Sequence, residues 1–168
     1  HHLEQVRAKE TLEAALEASH WSEPKPGPWI GRGVAMTHRH IGVGFTNARV
    51  RLETTGKVTL LIALPDTGTG AHLTLRQVVA EVLGLDYARI CVLAKDSAVT
   101  PKDNGSYSSR VTYMVGNATL AAAEKLLQRL LAAAARKLGA EPGQVECLGE
   151  EYRLAGSGKP GVAYIDVV

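Results

Sequence analysis

Within the stretch from Pro65 to His72, "PDTGTGAH", an acid, two glycines, two threonines and an imidazole fall just past an apolar run that ends at Leu64. Gly68 and Gly70 let backbone come close to a ligand. An amphipathic helix that starts near Ala71 brings free backbone N–H groups and the positive end of its dipole to the same point. A second stretch, "KDSAVTPKDNGSYSSRVTY", carries Lys95, Lys102 and Arg110 for charge and Ser106, Tyr107, Ser108, Ser109 and Thr112 as hydroxyl donors. It too runs into the start of a helix. A loop of roughly fifteen residues is longer than a compact domain usually leaves without structure, which points to ligand contact. These donors suit a polar, anionic small molecule held at several points. A tight turn at the two glycines and a cap from Ser108 or Ser109 would give the same pattern without a ligand.

Other constellations carry less. Asp66 and His72 straddle the glycine turn as an acid/base pair or, more plainly, as a helix-capping acid and a partly buried histidine. Ser109 with His72 would be a hydrolase pair, but no G-x-S-x-G elbow accompanies it. His38 and His40 share one side of a strand and lack a third ligand at supporting spacing, so a hydrogen-bonded strand end is the simpler account. Neither Gly68-Thr69-Gly70 nor Gly42-Val43-Gly44 has the third glycine of a dinucleotide fingerprint, and no G-x-x-x-x-G-K-[S/T] occurs, which disfavours Rossmann and P-loop enzymes. Cys91 and Cys147 are far apart, so thiols build neither a zinc site nor an iron-sulfur centre, and both read as buried free thiols.

The elements that must position the two stretches follow from periodicity. Residues 3–19 repeat apolar side chains at helical spacing, and the prolines of "SEPKPGP" stop that helix. Strands are predicted over 33–38, 46–54 and 57–64, the last two joined by a turn at Thr55-Gly56. A helix follows over 71–83 with Leu75, Val78, Val79 and Val82 on one face and Gly84 as its left-handed cap. A strand over 89–94 and an alanine- and leucine-rich helix over 114–138 complete the run, with Arg129, Arg136 and Lys137 toward the negative end of the second helix and Gly139 as its stop. Strand, helix and strand over 57–94 form a β-α-β unit whose two strands run parallel, so both donor-bearing loops leave one sheet edge. The tail after residue 140 reads as short strands and turns. Together these predict an α+β, two-layer domain with a mixed sheet and the helices 71–83 and 114–138 on one face. Its parts are an N-terminal helix and proline-rich connector over 1–30, the α+β domain over 31–140 and a strand-and-turn extension over 141–168.

The chain has 168 residues, enough to bury a core without disulfides, and 19 basic against 17 acidic side chains. That balance and the absence of a like-charge run give no footprint for nucleic acid, and no apolar run reaches the roughly 18 residues a membrane helix needs. No leader opens the chain, so it reads as cytoplasmic. His1-His2-Leu3-Glu4 at the start reads as tag residue or as a cut inside a longer chain.

From Gly31 to Leu127 the sequence resembles the second cofactor-binding domain of the molybdenum-binding large subunit in the xanthine dehydrogenase and aldehyde oxidase family. Three features carry the resemblance: the R-G-x-A stretch at 32–35, the D-x-G-x-G-x-H turn at 66–72, and the T-P…G-S-Y-x-S-R-x-T-Y-x-x-G-N-A segment over 100–118. The resemblance implies that the two loops hold a molybdopterin, as such or in a dinucleotide form, with molybdenum held by the cofactor. Gly68, Thr69, Gly70 and Ala71 at the first helix start and Ser108, Ser109, Arg110 and Thr112 at the second are the implied contacts. They place the cofactor and do no bond chemistry, so no catalytic residue and no protein metal ligand is assigned. The family usually has glutamine where Thr69 stands and serine where Val111 stands, and each change removes a donor.

The implied activity is hydroxylation of an aldehyde or N-heteroaromatic small molecule, with water-derived oxygen inserted at carbon. The implied partners are the rest of the large subunit and iron-sulfur subunits or domains, with or without a flavin partner; nucleic acid and membrane are not among them. The general base and electron-transfer centres have no counterpart here, so the isolated chain is expected to be inactive. The alternative is a non-catalytic domain of the same fold that serves as an assembly module.

Overall fold

The computed structural model describes residues 7–37, 40, 42–94 and 96–168, in two compact units over 1–39 and 40–168. In the first unit, α1 (Ala8–Ala18) leads into the proline-rich turn. There Arg32 Nη1 donates to the carbonyls of His20 (3.0 Å), Trp21 (3.0 Å) and Glu23 (2.8 Å). The strand predicted over 33–38 is not formed over 33–37, and His38 lies outside the described residues, as does Lys95. No backbone hydrogen bond reaches Gly31 through Thr37 from any described residue. A strand exists only by pairing, so alternation alone does not produce one.

In the second unit, β1 (Arg49–Leu52) and β2 (Val58–Leu61) form the expected hairpin. Arg49 faces Leu61 and Leu52 faces Val58, and Gly56 takes φ +77° in the turn. β2 then pairs in parallel with β3 (Ile90–Leu93), so the sheet order is β1-β2-β3 and β2 is central. All three strands are shorter than predicted, four residues each. Val58, Leu60, Ile62 and Leu64 are fully buried on the helix side, and burying each such side chain is worth about 1.5–3 kcal/mol.

The crossover helix α2 runs from Ala71 to Leu83 as predicted, between Gly70 (φ +72°) and Gly84 (φ +63°). Its fully buried stripe is Ala71, Leu75, Val79 and Leu83, a strict i, i+4 row, so Val78 and Val82 sit half-buried at its flank and not at its centre. Helix α3 (Gly116–Leu138) follows a π-helical turn over Val111–Val115, so helical backbone begins three residues before the predicted start. Gly116, Thr119 and Ala123 are its first buried residues, and their small size lets α3 lie close along α2. α3 also packs on β1 and α2 on β3, which puts both helices on one face of the sheet.

The tail forms a second antiparallel sheet from β4 (Val145–Leu148), β5 (Glu151–Leu154) and β6 (Val162–Ala163), followed by the short α4 (Tyr164–Val167). It packs on α3 and closes the end of the first sheet where β2 and β3 begin. There Arg89 and Glu150 form a two-pronged ion pair at 2.5 and 2.7 Å, and the buried Tyr164 hydroxyl donates to the Gly56 carbonyl at 3.0 Å. The opposite end, where β2 and β3 finish, is left to the two loops. Cys147 is half-buried, but Cys91 is exposed, because alternation along the edge strand β3 turns it away from buried Ile90.

Candidate ligand site at the carboxyl ends of the parallel strands

The first loop is organised by Asp66. Its Oδ1 accepts the N–H groups of Gly68 (3.0 Å) and Gly70 (3.2 Å), and its Oδ2 accepts that of His72 (3.3 Å). Only glycine takes the backbone this requires at no steric cost, with φ +94° at Gly68 and +72° at Gly70. Partial desolvation is the largest single influence on the Asp66 carboxyl and pushes it up. The donors from His72, Gly68 and Gly70, with the nearby imidazole, together outweigh it and hold the group below the usual carboxylate range. The N–H groups expected to face a ligand are therefore partly spoken for. Those of Thr69 and Ala71 have no acceptor among the described residues, and the Thr69 side chain is exposed.

His72 Nε2 lies 2.7 Å from the Leu64 carbonyl, so Nε2 carries the proton and ties the start of α2 to the end of β2. No hydrogen bond joins His72 to Ser109 among the described residues, so the hydrolase pair is not formed. The helix-capping acid and partly buried histidine are what Asp66 and His72 are. His40 is exposed, and among the described residues no group of three or more His, Cys, Asp or Glu side chains could hold a metal ion.

The second loop is organised by Arg110, which is fully buried. Its Nη1 donates to Asp103 Oδ1 (2.9 Å) and the Gly105 carbonyl (2.6 Å), and its Nη2 donates to the Phe45 carbonyl (2.8 Å). The guanidinium thus faces the loop interior, where it clamps the loop to a third segment, residues 42–47. Asn104 Oδ1 accepts the Phe45 N–H (3.0 Å), Asn47 Nδ2 donates to the Lys102 carbonyl (2.8 Å), and the Tyr107 hydroxyl donates to the Val43 carbonyl (2.7 Å). The Gly42 N–H donates to the Ser108 carbonyl at 2.7 Å.

Periodicity and motif matching missed this third segment. Its signal was the pair of glycines at 42 and 44, weighed only as a nucleotide motif. A Cβ at Gly42 would sit 2.9 Å from Ser108 Cβ and 3.0 Å from the Tyr107 ring, and Gly44, at φ +119°, meets the Asn104 side chain as closely.

Clamped in this way, Ser108 and Ser109 both hold left-handed backbone, with φ +45° and +54°. Neither caps the helix with its side chain. Such geometry costs a non-glycine residue about 1–2 kcal/mol and is concentrated at binding and catalytic sites. The π-helical turn that follows is likewise a common mark of functional positions. Ser109 and Thr112 are exposed and Ser108 is half-buried, and the π-helical turn packs against α2. The structure therefore brings both helix starts to one end of the sheet. It leaves Gly68, Thr69, Ser109 and Thr112 open there and turns Arg110 inward.

The profile of the molybdopterin cofactor-binding domain family matches residues 7–166. The probable hypoxanthine oxidase of Escherichia coli is 34% identical over 137 residues, which are 78% of this chain and 14% of that protein. The carbon monoxide dehydrogenase large chain of Afipia carboxidovorans is 29% identical over 128 residues, covering 76% of this chain and 16% of that one. Among solved structures, the Cu,Mo-CO dehydrogenase superposes with a TM-score of 0.68 at 27% identity over 73% of this chain and 16% of its own. Quinoline 2-oxidoreductase of Pseudomonas putida 86 does so with a TM-score of 0.65 at 28% identity, over 71% and 15%.

Proposed function

The chain belongs to the molybdopterin cofactor-binding domain family, and from that premise we propose that it is the cofactor-holding portion of the large subunit of a molybdenum hydroxylase, an oxidoreductase acting on an aldehyde or N-heteroaromatic compound. It spans about a seventh of the length of the probable hypoxanthine oxidase it matches, so the reaction belongs to the larger assembly. The observation that carries the reading is the convergence of two donor-bearing helix starts at the carboxyl ends of parallel β2 and β3.

The residues present fit the cofactor. Gly68 and Gly70 have nothing within 4 Å of where a Cβ would stand, so the surface above them is open. The donors there are neutral amides and hydroxyls, which suit the polar edge of a pterin. The two loops take different parts of it. Asp66 is a carboxylate beside the first turn, so Thr69 and Ala71 suit an uncharged pterin edge. The segment Asn104–Tyr113 contains no acid, and Asp103 is neutralised by Arg110, so the N–H groups at the start of the second helix, with Ser109 and Thr112, suit a phosphate. Gly68, Gly70 and Ser108 shape the two loops, and Arg110 holds the second loop in place from inside.

When bound, the molybdenum centre supplies two-electron oxidation and oxygen transfer from water to a substrate carbon. This chain orients that centre and excludes water from its pterin side. The general base and electron relays lie in other segments and in iron-sulfur partners, with or without a flavin. The relatives' names describe large chains and subunits, in one case of a dehydrogenase complex, which supports such an assembly. A cytoplasmic setting is supported by the two free thiols, and no helix among the described residues is long and apolar enough to cross a membrane.

The test compares two glycines with the same backbone in the full-length subunit. Gly70→Val and Gly139→Val both force a β-branched residue into left-handed backbone, at φ +72° and +66°, and neither meets a neighbour within 4 Å. Gly139 lies at the far end of α3, roughly 35 Å along the helix from its start. Gly70→Val is expected to lose the cofactor, measured as bound molybdenum and pterin per subunit, while Gly139→Val keeps it. Equal cofactor content in the two variants would refute the site.

A further inference from the structure

Thr46 and Asp103 face each other where the second loop is anchored, each as the middle residue of a fixed triplet. Asn104 Oδ1 accepts the Phe45 N–H (3.0 Å), and Asn47 Nδ2 donates to the Lys102 carbonyl (2.8 Å), so residues 45, 46 and 47 lie opposite 104, 103 and 102. Arg110 joins the two triplets, with Nη1 on Asp103 Oδ1 (2.9 Å) and Nη2 on the Phe45 carbonyl (2.8 Å). All of these residues belong to the second unit.

Three side-chain atoms in this clamp are buried and make no hydrogen bond among the described residues: Thr46 Oγ1, Asp103 Oδ2 and Arg110 Nε. Asp103 Oδ1 accepts both the Arg110 guanidinium and the Gly105 N–H (2.6 Å), while the second oxygen of the same carboxylate accepts nothing. Arg110 Nε shares an edge of the planar guanidinium with Nη2, so its proton is directed to the side where the Phe45 carbonyl lies, and Thr46 is the next residue. Buried polar groups in folded proteins are paired, with protein or with water, because an unpaired one forfeits its hydration for nothing. The other buried atoms without a partner, Arg76 Nε, Thr119 Oγ1 and the Tyr152 hydroxyl, stand singly on α2, α3 and β5. Those of Thr46, Asp103 and Arg110 are tied together by the hydrogen bonds around them.

We propose that one bound water molecule joins Thr46 Oγ1, Asp103 Oδ2 and Arg110 Nε and is an integral part of the second loop's anchorage. The donor and acceptor set selects water. It accepts from the Nε–H, donates to Oδ2 and makes a third bond with the Thr46 hydroxyl, and about three bonds is what a buried water commonly makes. A cation there would stand against the guanidinium, and an anion against the carboxylate. With the water bound, the buried Asp103–Arg110 pair has its remaining lone pairs and its remaining proton satisfied, the condition under which attraction offsets desolvation. The proposal does not depend on what the loop binds.

The test is a crystal structure of the full-length subunit at a resolution that shows ordered water, together with hydrogen exchange of residues 101–110 in two variants at position 46. A water about 2.7–3.2 Å from at least two of the three atoms is expected. Thr46→Val keeps the shape and removes the hydroxyl, so a bridging water loses one bond and exchange of 101–110 accelerates about fivefold. Thr46→Ser keeps the hydroxyl and should stay within about twofold of the wild type. If the Thr46 hydroxyl is merely orphaned, valine relieves a buried unpaired group and exchange is unchanged or slower, which overturns the proposal. Equal acceleration in both variants also overturns it, since the effect then comes from packing. A crystal structure in which the three atoms bond one another directly, or in which no water lies between them, overturns it whatever the variants do.

Discussion

Replacing Arg110 by Met tests whether the second loop is built from inside. Methionine fills nearly the same volume but donates nothing, so three hydrogen bonds are lost, to Asp103, Gly105 and Phe45. The greater loss is that Asp103, 1% exposed, is left as a buried carboxylate without its counter-charge. Breaking one side of such a pair costs about 3–5 kcal/mol. Arg110 Nε and Asp103 Oδ2 make no further hydrogen bond among the described residues, so the pair is less than fully satisfied and the lower part of that range applies. At about 3 kcal/mol the local opening equilibrium of the loop shifts by roughly two orders of magnitude. Hydrogen exchange of residues 101–110 in the full-length subunit should therefore accelerate about a hundredfold, with α3 beyond Gly116 much less affected. The double variant Arg110→Met with Asp103→Leu should recover part of the loss, because the stranded charge is gone. If Arg110→Met alone accelerates exchange less than about fivefold, equivalent to about 1 kcal/mol, the clamp does not hold the loop and its left-handed serines need another cause.

Two further outcomes concern the first turn. Asp66 is held below the usual carboxylate range in the folded chain, so its contribution to stability is fully present above about pH 4 and is lost as pH falls through the depressed value. Asp66→Asn should remove that part of the acid dependence and lower the unfolding temperature near neutrality, read by thermal unfolding at pH 7 and below pH 4; an unchanged acid limb would refute the assignment. Thr69→Gln should add an amide that reaches the pterin and tighten cofactor retention by a few-fold to about tenfold, or about 0.5–1.5 kcal/mol, with little change in stability. No gain in bound cofactor would place Thr69 away from the ring.

What sequence could reveal here divides along the range of the interactions. Helix α2 was legible end to end, because Gly70 and Gly84 bound it and both take left-handed backbone. The β1–β2 hairpin followed from Thr55-Gly56, although Leu52 faces Val58 across a loop one residue longer than a two-residue turn there would give, and the parallel pairing of β2 with β3 followed from the crossover between them. These are local signals. The clamp was not legible, because Arg110 is a serine-rich loop's only arginine and reads as a ligand for anions until its partner, the Phe45 carbonyl, 65 residues away, is known. Asp66 was seen as a cap, but which amides it occupies depends on the two glycine conformations together. The strand over 33–38 misled for the opposite reason: its alternation is genuine, but alternation without pairing makes no strand, and residues 33–37 have no backbone partner among the described residues.

The energetics of the second loop bear on how a ligand would be held. Ser108 and Ser109 in left-handed backbone cost about 1–2 kcal/mol each, a debt that would fall on binding if the ligand itself had to impose the conformation. In this chain the debt is met by groups that a ligand does not touch. Arg110 is wholly buried, Tyr107 and Asn104 bond to the 42–47 segment, and Gly42 brings that segment against Ser108. The donors at the start of the second helix are therefore already aimed before anything binds, and little ordering entropy remains to be lost. A loop of this length would otherwise be the most expensive part of the site to order. This is why the residues that matter most for affinity on the proposed reading include Asp103, Arg110 and Gly42, none of which offers a ligand a side-chain contact.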